Sequence, residues 1–236
     1  MANKYFSFKQ FTILQDKCAF KVGTDGVLLG AYADVQSAGR ILDIGTGTGL
    51  IALMLAQRSE AIITAIDPNN ESFIQACHNI EGSKWNCRIK TENISLQNFF
   101  PGDDKFDLIV TNPPYFKDSL KNPDPEKAST RHNFMLSNDD LLSGVRRLLS
   151  EEGKFQIILP YAEGNVFIAV AQAYGFFCCD ILKIKPLPSG EIRRMIMTFT
   201  RQRQRLTEKF LTIEHGKRHE FTEDYINLTR EFYLRF

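Results

Sequence analysis

The sequence predicts an α/β fold in which helices cover both faces of a mostly parallel β-sheet. Three observations support this prediction: short apolar runs alternate with helical stretches, a glycine-rich turn follows the first run, and one late run has no room for a crossover helix before it. The 236 residues are 43% hydrophobic and 24% charged. This composition is globular and excludes a disordered or fibrous chain.

The elements follow in order from residue 40. An apolar run at 40–44 precedes good helix formers at 50–56, and a β-branched run at 61–67 precedes apolar residues at helical spacing over 71–80. Later strands are predicted at 106–111, 153–159 and 178–184, helices near 139–150 and 163–174, and a final antiparallel strand at 195–200. A further strand just before Thr91 completes the seven-stranded sheet that we expect, with one antiparallel strand near its edge.

The length is typical of a single domain with extensions. We expect an N-terminal extension at 1–39, a core at 40–201 and a basic C-terminal section at 202–236. No apolar run reaches the length of a membrane span, and the first residues lack the apolar stretch of a signal peptide. These features predict a soluble, cytoplasmic protein.

Charge is distributed unevenly. Residues 183–236 hold 12 Lys or Arg against 7 Asp or Glu, a net +5, whereas the preceding residues carry a net −4. A basic section can attract a polyanion such as RNA, although it is also typical of an ordinary solvated face.

Metal and disulfide chemistry are not expected. The five cysteines are odd in number and form no C-x-x-C pair. His215 and His219 are four residues apart, but a glycine lies between them and the H-E-x-x-H arrangement is missing. A solvated polar loop is the favoured interpretation of this segment.

The glycine turn predicts a nucleotide-type cofactor. Gly45, Gly47 and Gly49 allow the backbone to pass close to a ligand at the end of the first core strand. In the dinucleotide fingerprint G-x-G-x-x-G the third glycine would fall at Leu50, and here Asp43 stands two residues before the first glycine. This pattern favours S-adenosylmethionine over a nicotinamide dinucleotide.

A second acidic residue follows the next strand. Asp67 lies 22 residues after Gly45, where a carboxylate can accept both ribose hydroxyls of an adenosine. The same position would also serve NAD, and an Asp before Pro68 can instead cap a helix.

Asn112-Pro-Pro-Tyr115 follows the strand at 106–111, where a substrate would lie. The two prolines stiffen the backbone, so the Asn112 side chain and the Pro113 carbonyl can both accept protons from a planar NH₂ group. Tyr115 can stack on that group. Asn112, Pro113, Pro114 and Tyr115 are therefore the predicted catalytic residues, and a structural turn is the alternative.

These motifs resemble the Rossmann-like class I methyltransferases that use S-adenosylmethionine to modify exocyclic amino groups. The segments 6–16 and 19–31 further resemble the bacterial tRNA1(Val) adenine-37 N6-methyltransferase family, over almost the whole chain. The resemblance implies methylation of N6 of the adenine 3′ to the anticodon, a base that must be flipped out of the stack.

The resemblance also implies roles for individual residues. The N-terminal extension, including Phe11 and Val22, would close over the methionine end of the cofactor, and Asn93 or Glu92 would contact its adenine. Expected cofactor contacts are Lys21, Thr24, Asp25, Asp43, Gly45, Gly47, Gly49, Asp67, Pro68, Asn93 and Asn112.

RNA contacts are expected on two segments. Residues 116–134 form a polar loop that we interpret as a lid over the flipped nucleotide, with a plain surface loop as the alternative. Predicted RNA-binding residues are Lys117, Lys121, Arg131, Arg193 and Arg194, with Arg201, Arg203 and Arg205 as further candidate phosphate contacts.

Three other functions fit parts of the pattern. Protein glutamine N5-methylation and guanine N2-methylation of ribosomal RNA would also need Asn112 to accept protons from a planar NH₂ group. A non-catalytic nucleotide- or RNA-binding protein would not need Asn112 for its function. The short N-terminal extension argues against the first, and the 6–31 pattern argues against the second.

Overall fold

The computed structural model describes residues 3–18, 21–114 and 136–236. Within these ranges the chain forms a large β-sheet, a small β-hairpin and helices on both sheet faces. Tyr115 and the predicted lid at 116–134 lie outside the described residues.

The large sheet has eight strands in the order β10-β8-β9-β7-β6-β3-β4-β5. All neighbouring strands are parallel except at β9, which runs antiparallel to β7 and β8. The strands are β3 (Arg40–Ile44), β4 (Ile62–Ile66), β5 (Ile89–Glu92), β6 (Phe106–Thr111), β7 (Leu149–Pro160), β8 (Phe177–Lys185), β9 (Arg194–Thr200) and β10 (Thr207–Thr212).

The fold class is confirmed, and the strand count is eight rather than seven. The additional strand, β10, pairs in parallel with β8 and extends the sheet into the basic C-terminal section at 202–236. Its sequence, Thr-Glu-Lys-Phe-Leu-Thr, has one buried residue, Leu211, because β10 is an edge strand. A strand with so little apolar patterning gives no clear sequence signal.

The helices are α1 (Thr24–Tyr32), α2 (Leu50–Arg58), α3 (Asn70–Glu81), α4 (Asn138–Leu148), α5 (Tyr161–Ala173) and α6 (Glu223–Thr229), with short 3₁₀ turns at Asn86–Arg88 and Leu96–Asn98. Side-chain caps begin several of them: Asn69 accepts from the Ser72 N–H, and Ser137 accepts from the Asp140 N–H.

Two apolar cores lie on the two sheet faces. The first is formed with α1, α2, α3 and α6, and the second with α4 and α5. The N-terminal hairpin of β1 (Tyr5–Ser7) and β2 (Thr12–Leu14) belongs to the first core through the buried side chains of Phe8, Phe11 and Ile13. The N-terminal segment is therefore packed as part of the fold.

Candidate active site

The predicted site residues directly follow four strands whose last residues lie side by side in the sheet. Thr111 of β6, Ile44 of β3, Ile66 of β4 and Glu92 of β5 are successive register partners. Because these strands are parallel, the residues that come next in the chain lie beside one another at the carboxyl ends of the strands, which we call one edge of the sheet. Those residues are Asn112, Gly45, Asp67 and Asn93.

The glycine loop after β3 has an open, left-handed backbone. Gly45, Gly47 and Gly49 have φ of 71°, 58° and 80°. A Cβ at Gly45 or Gly47 would meet no atom within 4 Å, so both positions face open space. At Gly49, the N-cap residue of α2, a Cβ would lie 3.4 Å from the Ile80 side chain. The loop thus combines a tight turn with room for a ligand.

Asp43 lies beneath this loop and is fully buried. Its Oδ2 accepts a 2.7 Å hydrogen bond from the Thr46 hydroxyl, while Oδ1 is buried without a hydrogen bond of normal geometry. Burial raises the pKa of Asp43 to about 7, an effect that the Thr46 hydrogen bond partly offsets and nearby Asp67 reinforces. Asp43 shapes the loop from below.

Asp67 links the glycine loop to the end of β4. Its Oδ2 accepts from the Gly47 N–H and its Oδ1 from the Asn69 N–H, both at 2.9 Å. Burial raises the pKa of this carboxyl, and the two backbone hydrogen bonds work in the opposite direction. Each oxygen keeps a second lone pair for another donor, so the residue can still accept ribose hydroxyls.

Asn93 and Glu92 differ in their availability to a ligand. The Asn93 amide is exposed and donates to the Asp67 carbonyl at 2.9 Å, so it lies beside the residue that is predicted to bind the ribose. The Glu92 carboxylate is instead paired with the Lys90 ammonium at 2.8 Å. Of the two residues predicted for the adenine, Asn93 has the more suitable position.

Asn112 and Pro113 are half-buried where β6 ends, and Pro114 is exposed. The Thr111 hydroxyl donates to the Ile44 carbonyl at 2.9 Å and thereby fixes this strand end against the start of the glycine loop. A Cβ on Gly26 of α1 would lie 3.8 Å from Asn112 Nδ2. The first turn of α1 is therefore adjacent to the predicted catalytic asparagine.

The remaining N-terminal candidates differ in their positions. Lys21 and Thr24 are exposed, and the Lys21 ammonium lies 3.4 Å from the Asn3 carbonyl. Asp25 forms a 2.8 Å ion pair with Arg194 of β9. The structure thus joins a predicted cofactor residue to a predicted RNA-binding residue.

Two buried amides that sequence patterning did not identify hold the N-terminal segment against the site. Asn79 of α3 donates to the carbonyls of Thr48 and Leu14 and accepts from the Leu14 N–H. Gln75 accepts from the Lys17 N–H at 3.0 Å. The apolar spacing in this helix pointed to a face that includes Phe73 and Cys77. It gave no indication that the polar residues Gln75 and Asn79 are buried.

The basic candidates are divided between the two sheet edges. Arg193 and Arg194 lie at the same edge as Asn112, where β9 begins. Arg201, Arg203 and Arg205 follow the end of this antiparallel strand and therefore lie at the opposite edge. The Arg201 guanidinium donates there to the Arg146 and Leu149 carbonyls. Lys117, Lys121 and Arg131 lie outside the described residues.

Among residues 3–18, 21–114 and 136–236 no cluster of three metal-ligating side chains occurs. No helix in these same ranges is long and apolar enough to span a membrane.

Comparison with known proteins first defines the class. Residues 22–161 match the family described as "Methyltransferase small domain". A predicted O-methyltransferase of Agrobacterium tumefaciens has the same fold, with a TM-score of 0.69 at 23% identity over 88% of this chain and 96% of that one. The structure titled Pyrococcus horikoshii TYW2 in complex with MeSAdo has a TM-score of 0.59 at 15% identity, over 84% and 71% of the two chains. This protein is a class I methyltransferase, as predicted.

Curated relatives then identify the family. A protein of Bacteroides thetaiotaomicron is 47% identical over 236 residues, 99% of each chain, and one of Trichodesmium erythraeum is 45% identical over 240 residues, all of both chains. Both are named tRNA1(Val) (adenine(37)-N6)-methyltransferase. The chain belongs to this family, which confirms the resemblance noted from segments 6–16 and 19–31.

Proposed function

We propose that the protein transfers a methyl group from S-adenosylmethionine to the exocyclic N6 of adenine 37 in tRNA1(Val). Family membership supports the substrate. The observation that carries the chemistry is the register row that brings Gly45, Asp67 and Asn112 to one sheet edge. Such a substrate is met in the cytoplasm.

The residues at this edge fit S-adenosylmethionine. Open space at the Cβ positions of Gly45 and Gly47 leaves room for the cofactor against the backbone, and Asp67 would accept its ribose hydroxyls. Asn93, which donates to the Asp67 carbonyl, would contact its adenine. When bound, this cofactor supplies an electrophilic methyl group on a positively charged sulfur. The buried carboxylate of Asp67 favours a cationic ligand at this edge.

Asn112 and Pro113 supply the acceptors for the target amine. If the Asn112 side-chain oxygen and the Pro113 carbonyl each accept one N6 proton, the nitrogen is drawn toward tetrahedral geometry and its lone pair is freed from the ring. The proline ring fixes φ at this position and stiffens the backbone that carries the carbonyl. Preorganised acceptors of this kind contribute several kcal/mol to catalysis. No general base is needed, because N6 becomes acidic only after methylation and water can take its proton.

The first experiment is methyl transfer from labelled S-adenosylmethionine to unmodified total tRNA, ribosomal RNA and a protein extract in parallel. Digestion to nucleosides and chromatography then identify the labelled product. We expect N6-methyladenosine from tRNA, and a tRNA1(Val) transcript with adenine 37 changed to guanosine should accept no label.

Other products would contradict the proposal in distinguishable ways. Label in N2-methylguanosine or in protein would retain the cofactor site and change the substrate. An absence of label from every substrate, with cofactor binding intact, would favour a non-catalytic binding protein.

A further inference from the structure

A groove lies beside the active site on the same sheet edge, and we name it the β8–β9 groove. It has a volume of about 490 Å³, within the range of small-ligand sites. Its walls come from the start of α5, the connection between β8 and β9, and the edge strand β10. The lining residues are Tyr161, Lys185, Gly190, Glu191, Ile192 and Phe210.

The sheet order fixes the distance of this groove from Asn112. Strands β7, β9, β8 and β10 follow β6 in that order, and neighbouring strands are about 4.8 Å apart. The ends of β8 and β10 are therefore about 14–19 Å from the end of β6. If the target base of an RNA lies at Asn112, nucleotides close to that base in the RNA sequence can reach the groove.

Two polar groups in the groove wall lack partners among the described residues. The Lys185 ammonium forms no ion pair or hydrogen bond there, although Lys185 is only half-exposed. The Tyr161 hydroxyl likewise forms no hydrogen bond within those ranges. By contrast, the ammonium of Lys183 on the same strand is held by Glu208 at 2.8 Å. Lys185 is thus a cation available to an anionic group.

Phe210 provides an aromatic surface at the same place. Its side chain is 60% exposed. The Lys183 ammonium lies 5.6 Å from the ring centroid. An exposed ring next to lysines is the combination on which single-stranded nucleic acids bind, by base stacking and phosphate neutralisation.

One carboxylate also lines the groove. Glu191 is largely exposed and lies 3.7 Å from the Arg193 guanidinium, so an arginine offsets its charge. Lys185 then leaves the rim with an excess positive charge, which favours an anionic occupant.

We propose that the β8–β9 groove binds an unpaired nucleotide of the substrate RNA close to the methylated base, with its base on Phe210 and a phosphate at Lys185. This inference rests on the proposed function. It assigns the groove to substrate affinity and gives it no part in cofactor binding or methyl transfer.

The test uses the full chain and an anticodon stem-loop of tRNA1(Val), with Phe210→Ala and Lys185→Gln as variants. Fluorescence anisotropy gives the Kd for the RNA, and steady-state methylation separates KM from kcat. We expect Phe210→Ala to raise Kd and KM about fivefold or more, with kcat and the Kd for S-adenosylmethionine unchanged. Lys185→Gln should reduce the slope of log Kd against log salt by about 0.7.

Control variants exist in the segments that lead into the starts of β5 and β6. Phe100 is 71% exposed and stacks on Arg147, and Lys84 is an exposed lysine beside Trp85. Phe100→Ala and Lys84→Gln should leave Kd and KM at wild-type values. Phe210→Trp keeps the stacking surface and should restore RNA affinity, a result that a merely structural role for Phe210 does not predict.

Two outcomes separate this proposal from the proposed function. Wild-type turnover on tRNA, with equal Kd and KM in all variants, would overturn the groove and leave a protein partner as its occupant. A wild-type enzyme that methylates no tRNA would overturn the proposed function, while the anisotropy measurement would still decide whether Phe210 and Lys185 bind RNA.

Discussion

The two halves of one sheet edge are built in opposite ways. At the ends of β3 and β4 the ionisable side chains are acidic, and both of them, Asp43 and Asp67, are buried. At the ends of β7, β8 and β10 and at the start of the antiparallel strand β9 the charged groups are mostly cations; Lys185 is half-exposed there, and Arg193 and the Phe210 ring are exposed. We call these halves the cofactor side and the basic side.

Under the proposed function, the difference corresponds to two kinds of ligand. A small cofactor is best held by preorganised groups in a site of low dielectric, where each hydrogen bond is strong. A long polyanion is best attracted by exposed cations and stacking surfaces, which act over distance and release it again. The Asp25–Arg194 ion pair joins the two sides next to Asn112, where both ligands would meet.

The largest expected effect lies at the junction of the two sides. Asn112→Ala removes an acceptor for the target amine and should lower kcat about 100- to 1000-fold. Methylation of tRNA1(Val) measures this loss, and Asn98→Ala, an exposed asparagine away from the site, is the control. Wild-type turnover in Asn112→Ala would remove this residue from catalysis.

The next effect concerns the buried carboxyl group of Asp43 on the cofactor side. The pKa of Asp43 is about 7 in the folded protein, above its ordinary value of 3.8, so the folded state keeps a proton that the unfolded state loses near pH 4. The contribution of Asp43 to the unfolding free energy is therefore most favourable below about pH 4 and decreases as pH rises toward 7, by as much as about 4 kcal/mol. Urea unfolding of the wild type and Asp43→Asn across this range measures it. The difference in unfolding free energy between the two should change with pH, and a constant difference would contradict the assignment.

Asp67→Ala should damage the cofactor side alone. Loss of a charged acceptor should weaken S-adenosylmethionine binding about tenfold or more, and the Gly47 and Asn69 N–H groups would lose their partner. Calorimetry with the cofactor and anisotropy with RNA measure the two sides separately. Weakened RNA binding with normal cofactor affinity would reverse our assignment of the sides.

The smallest effects come from a pair of glycine substitutions. Gly45→Ala adds a methyl group to open space at φ 71°, and Gly164→Ala places one 2.4 Å from the Met195 sulfur. Each should lower the unfolding free energy by about 1 kcal/mol, through left-handed strain in the first and overpacking in the second. Only Gly45→Ala should also weaken cofactor binding. Equal cofactor affinities for both variants would argue against a cofactor cradle at Gly45.

Local patterns predicted most of the sheet and the centre of the site. Strands β3 and β6 were expected at the residues where they occur, because both are short, continuous apolar runs with clear ends. The glycine loop and the Asn112-Pro-Pro motif were visible for the same reason, since each depends on residues close together in sequence. Strand β10 and helix α6 were not predicted, because both are short and mostly polar and acquire their burial from neighbours.

The sequence by itself determined the fold class, the glycine loop and the asparagine that follows β6, because each is encoded by local residue types and spacings. Only the tertiary structure decided how distant segments meet: Asn79 fastens the N-terminal segment to the glycine loop, Asp25 pairs with Arg194, and Phe210 lies beside Lys185. These contacts join residues far apart in sequence, and such partners are chosen by packing and register that no local pattern specifies.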